Sequence, residues 1–328
     1  MKKLTVTLLA LTLALSMTSC DPSTATSVPD TSTGTTEETI EETIEEAIEE
    51  TIEETAKDDK PYDSFTVTDS DTLHGDLVLV NNAHAYTFPA SGEYLSEIYN
   101  TWASHFPRKY IHSGRSVYMD TNALWALDAM LVAFCDATGK DNVQIRDAYR
   151  SYEEQDGYTI LPGYSDHHTG LGCTLKYIVM SDSRASTHNL STDPVYNWLY
   201  ENCYKYGFVI RYPEDKAAIT GVSEYDYYFR YVGVAHATYM TKNNLCMEEY
   251  VEKLKEYDNE NPLGIRGADG KYYEVYYVAV DGSATVKHPT NYAYTVSGTN
   301  EGGVIITVDR SKALSNEADT AVDTNAAN

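Results

Sequence analysis

The sequence predicts an α+β fold, and three observations predict it. From 120 to 138 the apolar residues Leu124, Leu127, Met130, Leu131 and Phe134 recur at three- and four-residue steps, the period of a helix buried along one stripe. After Asn261-Pro262 the pattern becomes alternating, as in KYYEVYYVAV from Lys271 to Val280, the period of a half-buried strand. Helical and strand segments are segregated along the chain, not woven one after another, which separates α+β from α/β.

In chain order, residues 1–20 read MKKLTVTLLALTLALSMTSC. Lys2 and Lys3 precede an apolar run from Leu4 to Leu15 that is too short to span a bilayer stably, the pattern of an export signal. Met17 to Cys20 resembles a lipobox, in which Cys20 would carry the lipid. The expected address is extracytoplasmic: a lipoprotein at a bacterial cell wall, touching the membrane through its anchor alone. Residues 21–72 are expected to be a disordered tether. A Ser/Thr/Pro-rich stretch is followed by a TIEE repeat with Ile40, Ile44, Ile48 and Ile52 in step. The glutamates four residues apart repel one another, so a solvated coil is expected, with an end-to-end distance of about 35–40 Å.

A folded domain is expected over 73–258. It begins with a strand over 76–80, a helix over 94–104 and the helix over 120–138 stopped by Gly139. A short strand over 143–148 follows. Asp193 and Pro194 open a helix that Gly207 closes. Then come a strand over 208–211, a segment from 217 leading into the strand YYFRYVG, and one or two helices within 235–257. An antiparallel β appendage is expected over 259–310, and a disordered tail over 311–328.

Charge narrows the partners. Fifty acids against 24 bases give a net charge of −26, which argues against nucleic acid and anionic lipid surfaces. The spacings of Cys135, Cys173, Cys203 and Cys246 match no metal or redox pattern, and their pairing stays open.

The densest group of chemically capable residues is Leu161 to Leu175, LPGYSDHHTGLGCTL. Ser-x-x-Lys, Lys-Thr-Gly and the P-loop pattern are absent from the chain, so serine-type penicillin-binding machinery and P-loop chemistry are excluded. A Cys173/His167 nucleophile pair has nothing to orient it.

Four ordered blocks carry a family resemblance: AYRSYEEQ (Ala148 to Gln155), LPGYSDHHTGLG (Leu161 to Gly172), YKYGFVIRYP (Tyr204 to Pro213) and ITGVSEYDYYFRYVG (Ile219 to Gly233). Together they resemble the VanY-type zinc D-alanyl-D-alanine carboxypeptidases over roughly 73–258. The resemblance implies a zinc D,D-peptidase core and a peptidoglycan stem peptide as substrate. In the family the first block supplies an Arg for the substrate carboxylate. The second reads SEHQTGLAVD, whose Ser contacts substrate and whose His and final Asp bind zinc. The fourth carries Glu-x-x-His, the general base and the third ligand.

Transferred residue by residue, the substrate-binding set is present as Arg150, Ser151, Gln155 and Ser165, and His167 matches the first zinc ligand. Thr174 stands at the Asp position. Aligned without a gap, Tyr225 stands at the general-base position and Tyr228 at the third ligand. A lone neutral imidazole does not hold zinc, and loss of the base alone costs about 10²–10⁴ in rate. The expectation is therefore a zinc-free pseudoenzyme that still binds stem peptides. Two alternatives stand beside it. One is an active metallopeptidase with ligands rebuilt from His167, His168 and one of Asp166, Glu224 or Asp226. The other is a non-enzymatic surface adaptor that binds a protein.

Overall fold

The computed structural model describes residues 61–313 except 106, 115, 183, 224 and 226. The export signal, Cys20, the TIEE repeat and the tail beyond 313 lie outside the described residues. Among those described, no helix is long and apolar enough to cross a membrane.

The strands in chain order are β1 (Tyr62–Thr68), β2 (Leu95–Glu97), β3 (Ile111–His112), β4 (Tyr118–Asp120), β5 (Val143–Asp147), β6 (Gly172–Ser181), β7 (Arg184–His188), β8 (Phe208–Ile210), β9 (Tyr228–Tyr231), β10 (Leu263–Arg266), β11 (Tyr272–Ala279), β12 (Ser283–Pro289), β13 (Tyr292–Gly298) and β14 (Gly303–Ala313). The α-helices are α1 (Ile98–Ser104), α2 (Thr121–Thr138), α3 (Asn197–Asn202), α4 (Ala217–Thr220), α5 (Val234–Lys242) and α6 (Met247–Leu254).

The central sheet runs β3-β5-β6-β9-β8, with β7 folded back on β6. Helix α2 lies on one face. Its Asp120 N-cap accepts from the Asn122 and Ala123 amides at 2.9 and 3.0 Å, and Gly139 closes it at φ 71°. Leu124, Leu127, Met130, Leu131 and Phe134 form its buried stripe, packed in one core with Val143, Ile145, Cys173, Leu175, Phe208 and Phe229. A second core joins α5 and α6 to β10, β11 and β14 and takes in Val209 and Val232. Phe208 and Val209 are neighbours on β8 yet serve different cores, as strand alternation requires.

Strand alternation also builds the functional face. Cys173 and Leu175 point into the α2 core, so Gly172 and Thr174 face the other way. Thr174 pairs with Tyr228 on β9. On β5 the register slips between Ile145 and Asp147, so Asp147 rather than Arg146 comes opposite Thr174. That irregularity, a bulge of the kind that re-aims a side chain, sets Asp147, Thr174 and Tyr228 in a row across three strands.

Several expectations need correction. Residues 62–68, assigned to the tether, form β1, which pairs with β12 from Tyr62↔Pro289 to Thr68↔Ser283. The appendage is therefore a four-stranded sheet, β10-β11-β14-β13, with a β1-β12 ribbon, and β14 continues to Ala313 into the expected tail. Between ribbon and sheet lies a third core of Val67, Tyr276, Val286, Val304, Ile306 and Val308. Residues 76–80 are not a strand, though 77–80 are buried. The Arg230 guanidinium donates to the Asp76 and Val78 carbonyls at 2.9 and 3.2 Å, supplying the partners a neighbouring strand would have given. The helix expected over 94–104 opens instead with β2, which pairs with β4, and becomes helical only at Ile98. Cys135, Cys173, Cys203 and Cys246 are free thiols.

A four-charge network ties these parts together. Asp166 has 1% of its surface exposed, and Arg211 and Arg230 have none. Arg230 Nη1 donates to Asp166, and Arg211 Nε lies 3.6 Å from the same oxygen. Arg211 also grips both oxygens of Glu248 on α6, at 2.9 and 2.7 Å, and the Val80 carbonyl at 3.3 Å. Two carboxylates and two guanidiniums balance in charge. Removing one partner strands a buried charge, so Asp166→Asn is expected to lower the unfolding free energy by about 3–5 kcal/mol, read by urea denaturation at pH 7.

Candidate functional site

His167 lies in a 3₁₀ turn, Asp166–Thr169, that Gly170 closes at φ 73°. Its Nδ1 faces the Ala148 carbonyl, which fixes the tautomer: Nδ1 carries the proton and Nε2 an outward lone pair. That orientation suits a metal ligand. The lone pair instead meets the Tyr225 hydroxyl at 3.2 Å, and Thr174 Oγ1 lies 3.2 Å from the same hydroxyl. With Nδ1 protonated, the chain has one direction: Thr174 donates to Tyr225, and Tyr225 donates to His167.

The third sequence position follows the same logic. The Tyr228 ring stands edge-on to His167 with centroids 4.6 Å apart, but its hydroxyl turns away and donates to Asp166 Oδ2 at 3.1 Å. Tyr225 stacks on Tyr228, and Tyr212 on Tyr225. Thr174, Tyr225 and Tyr228 thus converge on His167, as the aligned blocks imply.

This donor set does not fit zinc. Zinc takes deprotonated donors at about 2.0–2.3 Å, and the space between His167 Nε2 and Thr174 Oγ1 is filled by a phenol. Burial raises the Tyr225 pKa and lifts that of Tyr228 well above 10, so both phenols keep their protons. Burial, helped by the nearby Arg150 charge, holds the His167 imidazole neutral, its pKa lowered to about 4. Asp166, a candidate for a rebuilt ligand set, is committed to Arg230, Arg211 and Tyr228. Glu224 and Asp226 lie outside the described residues. His168 is committed too. Its Nδ1 donates to the Arg150 carbonyl at 2.7 Å, its Nε2 accepts from the Gly163 amide at 3.0 Å, and its ring packs on Phe88. Cys173 faces the α2 core, and burial pushes its thiol pKa far up, which removes it as a nucleophile.

The expected substrate-binding residues gather around Arg150. Gln155 accepts from Arg150 Nη1 at 3.0 Å and donates to the Ile160 carbonyl at 2.8 Å. Ser151 caps the following turn: its hydroxyl accepts from the Glu154 amide, and Glu154 accepts from the Ser151 amide. Ser165 is buried, and its carbonyl accepts from the His168 amide. The Tyr158 ring lies 3.9 Å from the guanidinium carbon. Sequence reasoning passed over Asp147, which forms an ion pair with Arg150, its Oδ2 accepting from Nε at 2.8 Å and from Nη2. An acid three residues before a key arginine was the available signal, but only the bulge puts the two side chains on one face.

Gly172 records an accommodation. A Cβ there would lie 2.3 Å from Tyr228 Oη, and that ring is held by His167, Tyr212 and Tyr225. Gly172→Ala is expected to cost about 1–3 kcal/mol by overpacking, with a smaller penalty in a Tyr228→His background, measured as a double-mutant cycle in urea. The His167 shift predicts a pH dependence. Its folded pKa lies below the unfolded value, so the unfolded chain takes up a proton first, and stability falls as pH drops from about 6.5 towards 4. The contribution is about 3 kcal/mol, and His167→Gln should flatten the stability-versus-pH curve across that window.

A family model described as VanY, D-alanyl-D-alanine carboxypeptidase, matches residues 156–234. A D-alanyl-D-alanine carboxypeptidase of Enterococcus faecium is 31% identical over 255 residues, which are 74% of this chain and 78% of that protein. Among solved structures, the vancomycin-resistance D,D-dipeptidase VanXYg, in complex with a D-Ala-D-Ala phosphinate analogue, superposes with a TM-score of 0.64 at 25% identity, covering 76% of this chain and all of that one. VanY from a VanB-type resistance cassette, in complex with Zn(II), matches 54% of this chain and 98% of its own at 29% identity and a TM-score of 0.39. The α+β architecture is that of the zinc D,D-peptidases, and the chain belongs to the VanY-type D-alanyl-D-alanine carboxypeptidase family.

Proposed function

We propose that this protein binds peptidoglycan stem peptides outside the cell without hydrolysing them, in a carboxypeptidase groove whose zinc site has become a tyrosine cluster. The observation that carries this reading is the Tyr225 hydroxyl seated between His167 Nε2 and Thr174 Oγ1. A buried imidazole that once offered its lone pair to a cation has a satisfied neutral partner, so no unpaired acceptor is left to recruit metal. Family membership, and a neighbour solved with a D-Ala-D-Ala analogue, support the ligand class. Arg150, mostly buried under Gln155 and Tyr158, is the cationic group beside this cluster and the residue proposed to contact the ligand, with Ser151, Gln155 and Ser165 supporting it. The export signal, the lipid at Cys20 and the charged spacer would place the domain at the cell wall.

The test uses purified protein equilibrated with excess zinc, dialysed, and assayed for bound metal and for D-Ala release from a stem pentapeptide ending in D-Ala-D-Ala. Substoichiometric zinc, no release, and saturable heat of peptide binding by calorimetry are expected. Stoichiometric zinc with chelator-sensitive release would overturn the reading in favour of rebuilt ligands. Absence of peptide binding with an intact fold would favour the protein adaptor.

A further inference from the structure

We infer that Asp147 is a specificity-determining residue that fills one carboxylate-binding edge of Arg150 from within the chain, so that the site accepts an uncharged carboxamide terminus at least as well as a free carboxylate terminus. The inference rests on the peptide-binding reading above and deepens it.

A guanidinium offers five N–H donors, and a carboxylate ligand is best held by two parallel ones on a single edge. Here the edge formed by Nε and Nη2 is taken by Asp147 Oδ2, with Nε at 2.8 Å. Nη1 gives one hydrogen to Gln155 Oε1 at 3.0 Å. Tyr158 covers a flat face of the fork with its ring centroid 3.9 Å from the central carbon. Two N–H groups remain, one on Nη1 and one on Nη2. They can bind a carbonyl oxygen, and the Asp147 charge beside them offsets the cationic charge that would otherwise favour a carboxylate.

Charge reaches the same result. The Arg150 and Asp147 side chains are 11% and 29% exposed, a pair partly withdrawn from water. A ligand carboxylate brought beside it is attracted by Arg150 and repelled by Asp147 at comparable distance, while it still loses hydration. A terminal carboxamide loses less hydration, accepts through its oxygen from the remaining Arg150 donors and can donate to Asp147, whose Oδ1 is not engaged by Arg150. The bulge on β5 makes this arrangement specific, because without it Arg146 would stand opposite Thr174 and Asp147 would face the other way.

The experiment titrates a tripeptide ending in D-Ala-D-Ala, once as the free acid and once as the carboxamide, into wild-type protein and Asp147→Asn. Asparagine keeps an acceptor for Arg150 and removes the charge, and circular dichroism checks that the variant is folded. Wild type is expected to bind the two peptides within about threefold, and Asp147→Asn to bind the acid about tenfold more tightly with the amide changed little. A wild type that prefers the acid tenfold or more, or an Asp147→Asn protein with unaltered acid affinity, would overturn the inference. A second readout separates it from the ligand assignment: the rate at which phenylglyoxal modifies Arg150, followed by peptide mapping. If neither peptide binds either protein, the stem-peptide reading falls. Faster modification of Arg150 in Asp147→Asn then still upholds Asp147 as occupant of the fork, and equal rates overturn it.

Discussion

A buried carboxylate needs a cation, and Asp166 has two. The rest of the molecule is arranged so that they can reach it. Arg230 arrives from β9 and Arg211 from the end of β8, and each spends its other donors on a segment that sheet pairing leaves unsatisfied. Through Arg230 the buried stretch 76–80 is pinned beneath the sheet, and through Arg211 and Glu248 helix α6 is held against it. His167 is the next residue after Asp166, so its place is set by this network more than by anything it touches itself. Desolvation makes each charge expensive alone and tolerable only in the full set, so the turn carrying His167 keeps its shape whether or not the site does chemistry.

That independence lets the groups facing His167 Nε2 differ from a metal-ligand set while the frame is kept. Metal sites hold strong charges that donors must neutralise, and they need donors without protons. The tyrosine cluster reverses both requirements. Its phenols retain protons because they are buried; the Tyr225 hydroxyl donates to a neutral imidazole and the Tyr228 hydroxyl to Asp166. The Nδ1 contact with the Ala148 carbonyl gives His167 the orientation that a metal ligand has.

Legibility in the sequence followed the range of the interactions. Helix α2 was readable to within a residue because its cap, its apolar stripe and its closing glycine are all local. The convergence of Thr174, Tyr225 and Tyr228 on His167 was readable because four motif blocks kept their order. What escaped was set at a distance. β1 finds its partner β12 more than two hundred residues away, and nothing in YDSFTVT announces that partner. Residues 76–80 carry a strand's composition, but an arginine side chain completes their hydrogen bonds. Asp147 looked like one more residue before a motif, because a one-residue slip in register decides which way it faces.

Gly172 ties the tyrosine cluster to the buried charge network. The Tyr228 ring occupies the space where any side chain at 172 would begin, and its hydroxyl is one of three groups holding Asp166. Histidine at 228 alone would open a void above Gly172 and strip Asp166 of a donor, while Tyr225 would still fill the space between His167 and Thr174. Gly172, Tyr225 and Tyr228 therefore constrain one another, and a change at any one of them is felt at the others.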